Sequence, residues 1–160
     1  MEIKIKYEDL IARCEQLSSF ESEGKVDAAG QSRYLEIHIN EVDKLLIQQY
    51  ITQARGILEE RMERMIASVT ENAGTQNSDE STEKAVEIPG FTWTLRTDTR
   101  WKQNNSLAKH VSEAIIAYAM SAWLSDKLPE RVAFYDTLFS ASTEMAVKNI
   151  FKKQAPRYEE

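Results

Sequence analysis

The stretch EIHINEVDKLLIQQYITQARGILEERMERM, residues 36–65, is tightly patterned and contains no glycine loop and no His/Cys cluster. Asn40 is a favoured helix N-cap, because its side-chain oxygen can accept a hydrogen bond from a free amide of the first turn. The acidic residues Glu41 and Asp43 follow it, where they suit the positive end of the helix dipole. The pattern therefore predicts a long helix that starts at Asn40.

Apolar residues recur along this predicted helix at steps of one, three or four, which places them on one stripe. They are Val42, Leu45, Leu46, Tyr50, Ile51, Ala54, Leu58, Met62, Met65 and Val69. A helix over residues 41–70 would be about 45 Å long at about 1.5 Å per residue. A compact domain of this size does not need such a length, so we expect part of the stripe to pack against another chain.

Shorter elements are predicted on either side of this helix. MEIKIK alternates as a strand does, and YEDLIARCEQLSSF places apolar residues on one helical face. ESEGKVDAAGQS, residues 21–32, is interpreted as a loop, and RYLEIHI, residues 33–39, as a second short strand. Residues 71–87 are polar, acidic and free of aromatic residues, which predicts a mobile loop.

The second half of the chain predicts a small β-hairpin and two helices. Pro89-Gly90 is a turn pair, and the alternation after it predicts a strand over residues 91–96. A broadly apolar helix is predicted over residues 106–125, with Pro129 at the first position of the next helix and Pro156 at its end. We therefore predict a mainly α, α-rich α+β fold. It has a long central helix, a small β-hairpin insertion and a C-terminal antiparallel helical hairpin, in a single helical domain over residues 1–160.

The composition argues against a general DNA-binding protein, a secreted protein and a membrane protein. The net charge of −6 argues against general DNA binding, which needs a basic surface. The single cysteine, Cys14, cannot form an internal disulfide, and MEIKIKYED lacks the apolar region of a signal peptide. The longest apolar run covers residues 114–124, against about 20 residues needed to span a bilayer. We therefore expect a soluble, cytoplasmic protein without a membrane partner.

Charge is unevenly distributed along the chain. Residues 73–90 carry four acidic residues and one lysine, whereas residues 91–110 carry four basic residues and one aspartate. Opposite local charges on one chain suit head-to-tail self-association. Two unrelated solvated surfaces would give the same pattern.

The sequence contains no recognisable set of catalytic residues. The sequence has no phosphate loop, no H-E-x-x-H and no C-x-x-C motif. The two histidines, His38 and His110, are interpreted as surface or packing residues, and Cys14 as a small buried hydrophobe. The sequence thus predicts a non-enzymatic protein without a cofactor or a metal ion.

Three groups of residues are candidates for contact with a partner protein. The first combines tryptophan and arginine, the usual composition of interface hot spots. The second is a pair of methionines on the apolar stripe, which suit an adaptable surface. The third is the basic and aromatic end of the sequence. The candidates are Trp93, Arg96, Arg100 and Trp101; Met62 and Met65; and Phe151, Lys152, Lys153, Arg157 and Tyr158.

The stretch YLEIHINEVDKLLIQQYITQARGILEERM resembles the long helix of the head–tail connector proteins of tailed bacteriophages. The matching residues are Leu35, Ile37, Glu41, Asp43, Leu45, Leu46, Ile51, Ala54, Arg55 and Glu59. The second half is similar to small prophage proteins of Bacteroides-type genomes, through the helix end AYAMSAWL and the lysine-rich FKKQAP. The order of elements agrees over most of the chain, but residues 1–33 and the hairpin insertion depart from the family pattern.

The resemblance implies a non-enzymatic virion assembly protein that forms a ring between portal and tail. Its partners would be the portal protein, tail proteins and neighbouring copies of itself, first in the host cytoplasm and then in the virion. It also implies that the acidic loop at 71–87 faces the DNA channel and that the C-terminal end reaches the portal. Two other readings stay open: a small helical regulatory or protein-binding module of a mobile element, and an enzyme of unknown type.

Overall fold

The computed structural model describes residues 1–73, 89–96 and 106–150. These residues form three strands and five helices, which confirms the predicted α-rich α+β class. In chain order the elements are β1 (Glu2–Lys6), α1 (Tyr7–Ser22), α2 (Tyr34–Ile37), α3 (Lys44–Arg61), β2 (Ile66–Asn72), β3 (Gly90–Leu95), α4 (Ser106–Leu124) and α5 (Pro129–Ile150).

The three strands form one antiparallel sheet in the order β1-β3-β2. Trp93 of β3 pairs with Ile3 on one side and with Val69 on the other. Nearly all residues of β3 are buried, as expected for a strand with a neighbour on each side. The predicted strand at 91–96 is therefore present, but it forms the centre of the sheet and is not an insertion. The predicted first arm, at residues 86–88, lies outside the described residues.

The long helix is shorter than predicted. It covers the 18 residues Lys44–Arg61, about 27 Å at about 1.5 Å per residue. A turn closes it, in which the Met65 amide donates to the Met62 carbonyl at 2.8 Å. The chain then continues as β2, where the β-branched residues Ile66, Val69 and Thr70 favour a strand over further helical turns. The prediction of one helix over residues 41–70 is wrong at both ends.

Asn40 does act as a cap, although α3 proper begins at Lys44. Its Oδ1 accepts hydrogen bonds from the amides of Val42 at 2.9 Å and Asp43 at 3.2 Å. Those are the free amides that an N-cap residue is expected to satisfy. Residues 41–43 therefore form a turn that leads into the helix.

RYLEIHI forms the short helix α2 and not the predicted strand. The His38 amide donates to the Tyr34 carbonyl at 2.8 Å, which closes one helical turn. Ile37 and Ile39 are both buried, and the indole of Trp123 donates to the Ile37 carbonyl at 2.7 Å. The alternating pattern thus reflects one helical turn that is fixed by packing on α4.

The C-terminal helical hairpin is present as predicted. Pro129 is the first residue of α5, where its missing amide costs no hydrogen bond. Helix α4 has buried residues along its whole length and lies against α1, α3, α5 and β1. Buried apolar residues from every element form one continuous core around it.

Candidate interaction surface

Two of the predicted partner contacts are core residues. Trp93 is fully buried and Met62 is 1% exposed, so neither side chain can face a partner in this structure. Met65 is half-buried, whereas Arg96 is exposed and its backbone amide donates to the Met65 carbonyl at 2.8 Å. Of the members of these two groups that the structure describes, Arg96 and Met65 are therefore the accessible ones.

Other predictions fall outside the described residues. They concern Arg100, Trp101, Phe151, Lys152, Lys153, Arg157 and Tyr158, together with most of the acidic loop at 71–87 and the stop at Pro156. They stay predictions from the sequence.

A partly buried polar network is present where a Trp–Arg surface was predicted. The indole of Trp93 donates to Glu59 Oε1 at 2.9 Å, and Arg55 Nε donates to the same oxygen at 2.7 Å. Arg55 also donates to the hydroxyl of Tyr7 at 2.7 Å and forms an ion pair with Glu71 at 3.2 Å. The network therefore joins α3 to all three strands or their immediate ends.

One cation, Arg55, pairs with two carboxylates in this network, those of Glu59 and Glu71. Burial and the hydrogen bond to Glu71 raise the pKa of Tyr7, so its hydroxyl stays a donor. The bonds from Tyr7 and Arg55 lower the pKa of Glu71, which therefore stays ionised near neutral pH. Arg55 also lies over the ring of Phe91, 4.9 Å from its centroid. Such an arrangement fixes one element against another and leaves each of these groups engaged.

A groove of about 500 Å³ lies between α1 and the start of α3. It is lined by Tyr7, Glu8, Ile11, Ala12, Glu15, Lys44, Gln48 and Pro89. Lys44 lies between Glu15, at 3.1 Å, and Glu41, at 2.6 Å. Because these carboxylates already balance the lysine, the groove does not present a free cation to a ligand.

A second ionic cluster fixes the end of α1 to α5. Both carboxylate oxygens of Glu21 accept hydrogen bonds from Arg131, at 2.8 to 3.1 Å. The hydroxyl of Tyr135 donates to Glu21 Oε1 at 2.9 Å, and burial raises the pKa of that tyrosine. Glu21 is a buried carboxylate with its partners in place, which is the arrangement of a structural ion pair.

The histidines and the cysteine have different surroundings in the fold. Cys14 is fully buried, and burial raises the pKa of its thiol to about 12. His38 stacks on Tyr34, with ring centroids 4.8 Å apart, and His110 Nδ1 lies 3.5 Å from Glu113. Among the described residues, no group of three His, Cys, Asp or Glu side chains could hold a metal ion.

Exposed apolar side chains concentrate in one part of the chain. Of the ten large apolar residues exposed in the described ranges, seven lie between residues 20 and 46. They are Phe20, Val26, Tyr34, Leu35, Val42, Leu45 and Leu46. These residues are close in sequence, and exposed apolar side chains that cluster commonly take part in a contact with another molecule. The region from the end of α1 to the start of α3 is therefore the candidate interaction surface.

The exposed side of α3 is the best-defined part of this surface. Val42 is 86% exposed, Leu45 70% and Leu46 39%. At about 100° per residue, Leu45 lies about 160° around the helix from the buried Ile47. We call Val42, Leu45 and Leu46 the α3 outer face. A shallow groove lined by Leu45, Gln48, Gln49, Thr52 and Gln53 continues it along the helix.

The sequence contains a signal for this face, in the phase of the apolar residues along α3. The buried residues follow the phase Ile47, Ile51, Ala54, Leu58 and Met62, with steps of three or four. Ile47 was absent from the predicted stripe, whereas Val42 and Leu45 were included although they lie out of phase with it. Two apolar faces had thus been merged into one.

None of the helices in the described ranges has the length and apolar character to cross a membrane. Comparison with known proteins finds no family model, no curated protein and no solved structure that matches the chain.

Proposed function

We propose that this chain is a virion assembly protein of a phage or prophage, a head–tail connector that joins portal to tail as a ring. It acts through protein contacts and carries out no reaction. Its partners are the portal protein, tail proteins and neighbouring copies of itself. It resides in the cytoplasm of the host bacterium until it enters the virion.

The observation that carries the proposal is the exposed apolar surface between residues 20 and 46. Val42 and Leu45 are among the most exposed large apolar residues described. Leaving them in water costs part of the free energy gained by burial, about 1.5–3 kcal/mol for a fully buried side chain of this kind. A protein whose role is to assemble with others recovers that free energy in the contact.

Some of the residues that match the connector family are buried in the core, and others are exposed to solvent. Ile37, Ile51 and Ala54 are buried in the core, and Arg55 pairs with Glu59 in the polar network. Leu35 and Leu45, by contrast, are 86% and 70% exposed. A motif that serves only the core of a monomer would not place leucines in solvent, so this division favours an assembly role.

The proposal is tested by deleting the gene in a bacterium whose prophage encodes the chain and inducing that prophage. We expect electron microscopy to show filled heads and separate tails, because the connection between them is missing. Complementation with the unaltered chain should restore joined particles. The chain should also co-sediment with restored virions and appear in them by mass spectrometry.

A matched pair of variants makes the test specific. Leu45→Glu places a charge on the α3 outer face, whereas Met145→Glu places one on α5, where Met145 is 42% exposed. We expect complementation to fail with Leu45→Glu and to succeed with Met145→Glu. Joined, infectious particles in the deletion strain would exclude the connector role and leave the regulatory module of a mobile element as the better explanation.

A further inference from the structure

We propose that the α3 outer face of one copy binds residues 151–160 of a neighbouring copy. This contact deepens the self-association in the proposed function and rests on it. It assigns a specific donor segment and a specific acceptor surface within the same chain.

The acceptor surface is apolar with an acidic surround. Val42, in the turn before α3, is 86% exposed, and Leu45, in the first turn of the helix, is 70% exposed. Glu41 and Asp43 flank Val42, and the side chain of Glu41 is 86% exposed. The nearby cation Lys44 is already shared between Glu15 and Glu41. The surface therefore favours an occupant with apolar groups beside positive charges.

The segment FKKQAPRYEE, residues 151–160, has that chemistry. It carries two aromatic residues, Phe151 and Tyr158, and its three cations, Lys152, Lys153 and Arg157, outnumber its two acidic residues, Glu159 and Glu160. Aromatic side chains can cover the exposed valine and leucine, and the cations can approach the acidic residues around them. Such charge complementarity orients a contact and speeds its formation more than it adds affinity.

The direction of α5 favours a neighbouring copy over the same copy. Helix α5 begins beside α2, because Arg33 donates to the Lys127 carbonyl at 2.6 Å. It then runs for 22 residues to Ile150, about 33 Å away. Ten residues extend to at most about 36 Å. A segment that returned to its own α3 would use nearly its whole length in transit and leave little to lie on the outer face.

A contact between two different surfaces has a geometric consequence. Each copy presents one donor segment and one acceptor face, so every copy can bind one neighbour on each side. Such head-to-tail contacts close into a ring when the rotation per copy allows it, and otherwise extend into a filament. The proposed contact is therefore of the kind that a ring requires.

The test uses the full chain with a photoreactive benzoylphenylalanine at position 158 in place of Tyr158. Unlabelled and ¹⁵N-labelled copies are mixed in equal amounts, irradiated, digested and analysed by mass spectrometry. We expect cross-links from position 158 to peptides that contain Val42 or Leu45, in mixed-isotope pairs. Cross-links only within one isotope would mean that the segment folds back on its own copy, and cross-links elsewhere or none would equally overturn the proposal.

Variants identify the forces involved. Leu45→Glu, and separately the double change Lys152→Glu and Lys153→Glu, should each lower the yield of mixed-isotope cross-links roughly tenfold. The matched control Met145→Glu should leave the yield unchanged. Circular dichroism should show that all these variants are folded, since Leu45 and Met145 are exposed side chains. Equal yields from Leu45→Glu and the control would also overturn the proposal.

The cross-linking result and the prophage result separate the two proposals. Joined heads and tails that depend on the gene, without the cross-link, would retain the connector and reject this contact. A mixed-isotope cross-link in a chain that virion assembly does not need would retain the contact and reject the connector.

Discussion

Arg131 on α5 donates hydrogen bonds to both carboxylate oxygens of Glu21 at the end of α1, and the two residues are 110 positions apart in the sequence. The glutamate side chain is only 7% exposed, whereas that of the arginine is 34% exposed. The arginine also lies over the ring of Phe134, 4.4 Å from its centroid. The pair thus joins the first helix to the last, with the cation as the more accessible partner.

Replacing Arg131 with alanine should destabilise the protein by about 2 kcal/mol, because it leaves a buried carboxylate with only the Tyr135 hydroxyl as a side-chain partner. Urea denaturation followed by circular dichroism measures this loss. The matched control is Lys148→Ala on the same helix, whose pair with Glu144 is exposed on both sides. A loss no greater than that of the control would show that the pair contributes nothing.

Gly90→Ala should destabilise the protein by about 2–3 kcal/mol, because overpacking against backbone cannot be relieved by a side-chain rotation. A Cβ at this position would overlap the Ile5 carbonyl oxygen and crowd the Lys6 Cα. Both atoms belong to β1, which pairs with β3 at this point. Thermal and urea denaturation measure the effect.

Gly56→Ala is the control for that change. Gly56 is an exposed residue of α3, and a Cβ there would meet nothing within 4 Å. We expect this variant to be more stable by about 0.5–1 kcal/mol, since alanine is the better helix former. Equal effects of the two glycine variants would contradict the close approach of β1 and β3.

The burial of Cys14 should make the stability of the protein depend on pH in the alkaline range. Burial raises the pKa of this thiol from its ordinary value of 9.0 to about 12. A group whose folded pKa is raised contributes stability that is complete below the unfolded value and is lost as pH rises towards the folded value. Between pH 9 and pH 12 the free energy of unfolding should therefore fall less steeply in Cys14→Ala than in the unaltered chain.

A thiol reagent gives an independent measurement. The native chain should react slowly with such a reagent at pH 8 and rapidly once unfolded in urea, because the thiol is fully buried and protonated. Rapid reaction in the native state would place Cys14 in contact with solvent.

Acid should weaken the Arg55 network through Glu71. The hydrogen bond from Tyr7, and then the bond from Arg55, lower the pKa of Glu71 below its ordinary 4.5. A lowered folded pKa contributes stability above the unfolded value that is lost as pH falls through the folded one. Tyr7→Phe and Glu71→Gln should each make stability less dependent on pH below about 4.5. The effect should stay below about 1 kcal/mol, since the Glu71 side chain is 59% exposed. An unchanged acid slope in both variants would contradict the network.

The elements with local signals were predictable from the sequence. They are the strand MEIKIK, the capping role of Asn40, the apolar helix from Ser106 and the proline at 129. Each is determined by the residues of the element itself, through alternation, capping or backbone geometry. The change from α3 to β2 was not predictable from periodicity, because Met65 and Val69 continue a helical spacing by coincidence. What ends the helix is the pairing of β2 with β3, a contact between distant residues.

The candidate surface was only partly predictable. The sequence shows that apolar residues surround α3, but which of them face the core depends on how α3 packs against α4. The burial of Trp93 likewise depends on Glu59, a partner 34 residues away. The composition of the sequence does not reveal such distant partners. Trp93 was therefore predicted to lie at an interface, although its indole is buried.

The central position of β3 also imposes an order on folding. Ile3 finds its partner only at Trp93, so a chain emerging from the ribosome must leave its first strand unpaired for some ninety residues of synthesis. The α4–α5 hairpin, by contrast, joins neighbours in sequence, so its contacts close at a low entropic cost as soon as both helices have emerged. Sheet closure must wait for the synthesis of β3, and nascent chains stalled before residue 90 should offer β1 to chaperones.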